Sequence, residues 1–77
     1  MVNQKLYIIN LSNFYNIISE LQEHIGYEVF KFDNKEIFFD KYDSKGISTE
    51  NSILIVHEKD YNFFVKNINS KETIVPQ

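Results

Sequence analysis

Two histidines and eleven carboxylates carry most of the chemical capacity of this chain, and their spacing decides what they can do. His57, Glu58 and Asp60 directly follow a strongly apolar run, Ser52-Ile53-Leu54-Ile55-Val56. Folds that alternate strands and helices hold ligands at the carboxyl ends of their strands. This trio, with Asn10 at the end of a second apolar run, therefore bounds a candidate ligand site. Glu20 and His24 stand four residues apart with Glu23 between them, a helical spacing that can hold a metal ion. No second histidine lies near them, and their positions fit the solvated face of a helix. Residues 40–46 have the Asp, Ser and Gly content of a calcium loop. With Gly46 at its sixth place, however, Lys41 and Lys45 fall on ligand positions and Ser52 replaces the closing Glu. Gly26 and Gly46 stand too far apart for a phosphate loop, there is no Cys, and no Ser-His-Asp set assembles. The sequence thus offers no catalytic constellation, metal site or cofactor motif, and a non-enzymatic role is expected.

The elements that would position these residues come next. Seventy-seven residues, 43% of them hydrophobic, with two Gly and one Pro, suffice for one folded domain over 1–77. A net charge of -3 argues against a nucleic-acid surface on this segment. No apolar stretch reaches the roughly 20 residues of a membrane span, and no basic-then-apolar leader is present, so a cytoplasmic location is expected. All eight basic residues are Lys, which removes the planar bidentate grip of Arg on phosphate or carboxylate.

Lys5-Leu6-Tyr7-Ile8-Ile9-Asn10 reads as a strand covered on both faces. Phe14, Ile17, Ile18, Leu21 and Ile25 form one stripe of a helix from Ser12 to Ile25, capped by Ser12 and stopped by Gly26 in a left-handed conformation. Residues 28–32 read as a second strand in which the side taken by Val29 is left open. Ile37, Phe38 and Tyr42 suggest a short helix over 34–42, and 43–51 reads as a loop. After the strand at 52–56, Tyr61, Phe64, Val65 and Ile68 predict a helix over 60–67, and residues 72–75 a last short strand. The order β-α-β-α-β-α-β implies right-handed crossovers and a three-layer α/β fold. A two-layer α+β domain with antiparallel second and third strands is the alternative.

A Lys-led strand ending in a polar residue, an amphipathic helix, Ile25-Gly26-Tyr27-Glu28-Val29, and then a buried strand and helix resemble the receiver domains of bacterial response regulators. More narrowly, residues 5–77 are similar to the N-terminal part of regulators in which a receiver precedes a winged-helix DNA-binding domain. The resemblance implies a flavodoxin-like parallel sheet, here of four strands in the order 2-1-3-4 with three helices. It also implies where receiver chemistry should sit, and there this chain departs from the pattern. The acidic pair that helps a receiver hold Mg²⁺ falls at Asn10 and Leu11, and the phosphate-accepting Asp falls at His57. The hydroxyl of the fourth strand falls near Pro76 or Gln77, and the closing Lys has no counterpart in these residues. Phosphoryl transfer needs carboxylates to hold the metal and to attack, so Asn10, Leu11, His57 and Glu58 would bound a vestigial pocket.

Seven Phe and five Tyr form a heavy aromatic load. Phe38-Phe39 and Phe63-Phe64 are adjacent pairs on expected helices, so one member of each should point outward. Phe39 and Phe63 are the interface candidates, together with Thr73, Ile74 and Val75 on an open edge strand. The expected function is a phosphorylation-independent, receiver-like regulatory and dimerisation domain of a transcription regulator. The alternative is a free-standing adaptor or inhibitor that binds one protein through its aromatic surface. A weaker third possibility is an enzyme or ligand binder using His57 and its neighbours at the strand ends. The expected partners are a second copy or another protein, without nucleic-acid or membrane contact by this segment.

Overall fold

The computed structural model describes residues 4–20, 24 and 26–76. Four strands, β1 (Gln4–Ile9), β2 (Tyr27–Phe32), β3 (Ser52–Val56) and β4 (Glu72–Ile74), form one parallel sheet in the order β2-β1-β3-β4. The helices are α1 (Ser12–Glu20), α2 (Lys35–Asp43) and α3 (Tyr61–Asn67), the last preceded by a 3-10 turn at Glu58–Asp60. The expected three-layer α/β architecture is therefore present, and the antiparallel alternative is excluded. No helix among the described residues is long and apolar enough to cross a membrane.

The strand order explains where the helices go. The chain steps from β1 to β2 in one direction, then crosses back over β1 to β3 and on to β4. Right-handed crossovers taken in opposite directions put their helices on opposite faces. Leu6, Ile8, Val29 and Ile55 accordingly pack under Phe14, Tyr15 and Ile18 of α1. Tyr7, Ile9, Leu54 and Val56 pack under Phe38 of α2 and Phe64 of α3, with Ile68 just beyond it. β1 and β3 read as unbroken apolar runs because both of their faces are covered. Val29, whose side is not evident from sequence, lies on the α1 face.

Several sequence expectations are corrected at the level of the helix face. Ile17 is 59% exposed, because it lies about 100° round the helix from Ile18; Leu11 and Tyr15 complete the buried stripe instead. Leu21 and Ile25 lie outside the described residues. Tyr15 donates its N–H to Leu11 O at 3.0 Å, so Leu11 takes the cap position and Ser12 is the first helical residue. Gly26 has φ +72°, the left-handed conformation expected of it. In α2 the cap is Asn34, whose Oδ1 accepts from Ile37 N–H at 2.9 Å. Ile37 turns outward, while Phe38 is fully buried with Phe39 and Tyr42 half-buried beside it. In α3, Tyr61 and Val65 are exposed rather than core. β4 ends at Ile74, one residue earlier than expected.

Aromatic rings run without a break across the two-helix face. Phe38 sits edge-on to Tyr7, Phe32 and Phe64, with centroids 5.4, 5.0 and 5.6 Å away. At the amino ends of the strands, the α2–β3 loop closes back on the sheet. The Tyr7 hydroxyl donates to Ser48 O at 3.3 Å, Thr49 Oγ1 donates to Asn69 O, and Lys71 N–H donates to Ser52 O at 2.9 Å. Burial pushes the Tyr7 phenol above its ordinary 10.0; the Ser52 hydroxyl opposes this and Glu28 adds to it.

Two outcomes follow from this packing. Phe38→Ala should cost about 3–5 kcal/mol, enough to unfold much of so small a domain, while Ile37→Ala should stay within about 0.5 kcal/mol in urea titrations. Below pH 10.0 the Tyr7 phenol is neutral in both folded and unfolded chains. Above it the unfolded chain ionises first, so Tyr7 lowers stability as pH climbs toward its higher folded value. Tyr7→Phe should flatten that alkaline decline relative to the parent chain in parallel melts.

Candidate functional site

The parallel register aligns Ile9 with both Phe32 and Val56, so Asn10, Asp33 and His57 emerge together at the carboxyl edge of the sheet. The strand order reverses between β1 and β3, and a crevice opens at such a point. Asn10 turns the chain there with φ +63°, a left-handed conformation that Asn tolerates better than most residues. Its N–H donates to Phe32 O at 2.9 Å, which fixes the turn against β2.

His57 leaves β3 in extended conformation and caps the 3-10 turn. Its Nδ1 accepts the Lys59 N–H at 3.2 Å, so in the neutral ring Nε2 carries the proton. The ring and Glu58 are both exposed. Leu11 is half-buried against the α1 face and borders the same hollow as His57 and Glu58, an open depression of ≈ 1010 Å³ running along Tyr61, Thr73 and Val75. Asn10 borders a smaller hollow of ≈ 260 Å³ bounded by Asn34, Lys35, Glu36, Lys59 and Asp60, and shares with Leu11 another of ≈ 450 Å³ along the start of α1. The four expected pocket residues thus share one edge, with Leu11 bordering both the hollow of His57 and Glu58 and one that it shares with Asn10.

The smaller depression holds a feature that sequence spacing could not reveal. Asp60, only 4% exposed, faces Lys35 with Nζ 3.6 Å from Oδ1. The same ammonium lies 5.2 Å from the Phe63 ring centroid. The pair joins the start of α2 to the start of α3 and neutralises the buried carboxylate of the His57-Glu58-Asp60 trio. Among the described residues, no group of three or more His, Cys, Asp or Glu gathers to hold a metal ion. Glu20 and His24 are exposed, and Glu23 lies outside the described residues. Asp40, Lys41, Tyr42 and Asp43 belong to α2, so the stretch that resembles a calcium loop begins as helix.

The aromatic interface candidates are placed differently from expectation. Phe39 and Phe63 are half-buried and meet each other edge-on at 5.6 Å, which zips α2 to α3. They do not point outward, because the two helices lie side by side and each supplies the other's cover. Thr73 is half-buried, with its hydroxyl 3.2 Å from Ser70 Oγ. Val75 packs on the two-helix core, while Ile74 is 36% exposed on the opposite face. No described strand pairs with the outer side of β4. The exposed apolar residues that sequence reasoning assigned to the core are Ile17, Ile37, Tyr61 and Val65. Each of the four lies within one turn of an apolar residue that does pack on the sheet (Ile18, Phe38 or Phe64), which is why periodicity alone misplaced them.

The 3.6 Å pair makes a measurable distinction. Lys35 is partly solvated and Asp60 is not. Lys35→Met should therefore strand a buried carboxylate and cost about 2 kcal/mol at neutral pH, whereas Asp60→Asn leaves a lysine that reaches water and should cost under about 1 kcal/mol. Urea unfolding of the two variants beside the parent chain reads the difference. No family model, curated protein or solved structure matches this chain.

Proposed function

We propose that the chain is a receiver-like regulatory and dimerisation module that acts without phosphorylation, within a transcription regulator. The observation that carries this reading is the chemistry at the carboxyl edge of a four-stranded 2-1-3-4 parallel sheet. The sheet order and the distribution of one helix and two helices over its faces support the likeness to a receiver. At the positions where that fold would perform phosphoryl transfer, the side chains are an amide, an aliphatic group and an imidazole: Asn10, Leu11 and His57. The one buried carboxylate among the described residues, Asp60, is engaged by Lys35. Such a set offers neither a carboxylate nucleophile at the end of β3 nor an acidic pair at the end of β1. The role in transcription rests on the resemblance to regulators that join a receiver to a winged helix, and the coding sequence downstream of Gln77 tests it directly.

A second reading, a small adaptor or inhibitor that binds one protein, is favoured by Tyr61, Val65 and Ile74, which are exposed near one edge of the sheet. Both readings make protein contact the activity of the chain and differ in whether a DNA-binding part accompanies it.

Incubation with Mg²⁺ and acetyl phosphate should leave the intact mass and the molar mass in light scattering unchanged. Incorporation of a phosphoryl group, or a change of oligomeric state on its addition, would overturn the phosphorylation-independent reading.

A further inference from the structure

Among the described residues, α3 has a neighbour on one side only. Phe63 meets Phe39 of α2, and Val65, two positions on and about 200° round the helix, faces the other way and is 52% exposed. Tyr61, one turn earlier on that side, is 39% exposed and borders the hollow along Thr73 and Val75. β4 likewise pairs with β3 alone. Asn10 N–H bonds Phe32 O and Ser52 O takes the Lys71 N–H, so in the parallel register Ser52, Leu54 and Val56 turn their backbone groups toward β4, and Glu72 and Ile74 turn theirs back toward β3. This leaves Thr73 as the strand residue whose N–H and C=O both face outward. The Ile74 side chain is exposed on the α1 face, beside its register partner Ile55.

An occupant of this surface must supply a strand edge, an apolar helix flank on the two-helix face and an aliphatic side chain on the other. The α3–β4 unit itself has these three things. We infer that the outer side of α3 and β4 is a self-complementary surface on which a second copy seats by antiparallel pairing of β4 with β4, about a two-fold axis through Ile74; this rests on the dimerisation reading above and specifies its interface. Ile74 then stands opposite its symmetry mate as the closer, non-hydrogen-bonded kind of antiparallel pair, Thr73 supplies the outward backbone bonds, and the two Ile74 side chains meet on the α1 face. Thr73 of each copy stands opposite Val75 of the other, and the Tyr61 and Val65 flanks close over them. The two-fold brings Lys66 and Lys71 of one copy toward Glu58 of the other, with Lys59 and Glu72 exposed beside them. A stable dimer needs roughly 800 Å² per partner, about a seventh of the 5361 Å² surface.

The sequence contains no Cys, which makes disulfide trapping clean. Light scattering of the parent chain at about 100 µM should return a dimer. Val65→Glu should weaken it about a hundredfold or more by desolvating a carboxylate, while Ile37→Glu, at an equally exposed site on α2, should leave it intact. Ile74→Cys should form a disulfide-linked dimer on mild oxidation, since non-hydrogen-bonded pairs on antiparallel strands lie about 4.5 Å apart at Cα, within disulfide range. Ile37→Cys should not. A monomeric parent chain overturns both the dimerisation reading and this interface. A dimer that survives Val65→Glu and gives no Ile74→Cys cross-link overturns the interface alone.

Discussion

One buried ring organises the larger half of this molecule. Phe38 meets Tyr7 and Phe32 on the sheet and Phe64 on α3, so a single side chain holds both helices of that face against the strands. Edge-to-face geometry tolerates little sliding, and the centroid separations of 5.0–5.6 Å leave no room for a smaller ring pitch. Once α2 and α3 are fixed in this way, Phe39 and Phe63 must meet, and the starts of both helices are brought close enough for Lys35 to reach Asp60. The charged depression at the carboxyl edge is therefore a product of aromatic packing one layer below it.

The α1 face is built on different terms. One helix covers it through aliphatic and aromatic contacts to β1 and β2, and Lys31 reaches over the Tyr15 ring at 5.6 Å. Toward β4 the cover thins, from Ile55 at 7% exposure to Ile74 at 36%. Parallel sheets are stable when both faces are covered, and the gradient of exposure across this one marks its fourth strand as the incomplete side. At the carboxyl-edge crevice, by contrast, His57 spends one ring nitrogen on the turn that follows and Asn10 spends its backbone N–H on β2.

Much of this was legible in the residues themselves. Ser52–Val56 has the bounds that its apolar run implies, and Leu6 to Ile9 lie buried on both faces as an uninterrupted run should. The strand order followed from element alternation and the family likeness together. Where one residue's angle round a helix decided the matter, the pattern was ambiguous: Ile37, Phe38 and Phe39 are consecutive, and only contact with Tyr7 and Phe64 selects Phe38 as the buried one. Phe39 and Phe63 could be recognised as surplus to one core but not as each other's cover, because that depends on two helices lying side by side. The Lys35–Asp60 pair spans 25 positions and has no local signature. Residues of the site were found by their place after strands; their distribution over several shallow hollows was not, since it depends on how Asn10 turns.

The opposite end of the sheet shows how a three-residue strand keeps its place. β4 is too short for side-chain pairs to specify its alignment, and a slip by one residue would send Ile74 to the other face. The alignment is set instead by the clasp before it, where Thr49 holds Asn69, Lys71 holds Ser52, and Ser48 is held in turn by Tyr7 and Ser52. The loop between α2 and β3 thus works as a template for the last strand. Its polar content marks it as a connection, yet lengthening it or opening it to an inserted tag would disturb the chain some 20 residues downstream, at the very strand whose edge is open.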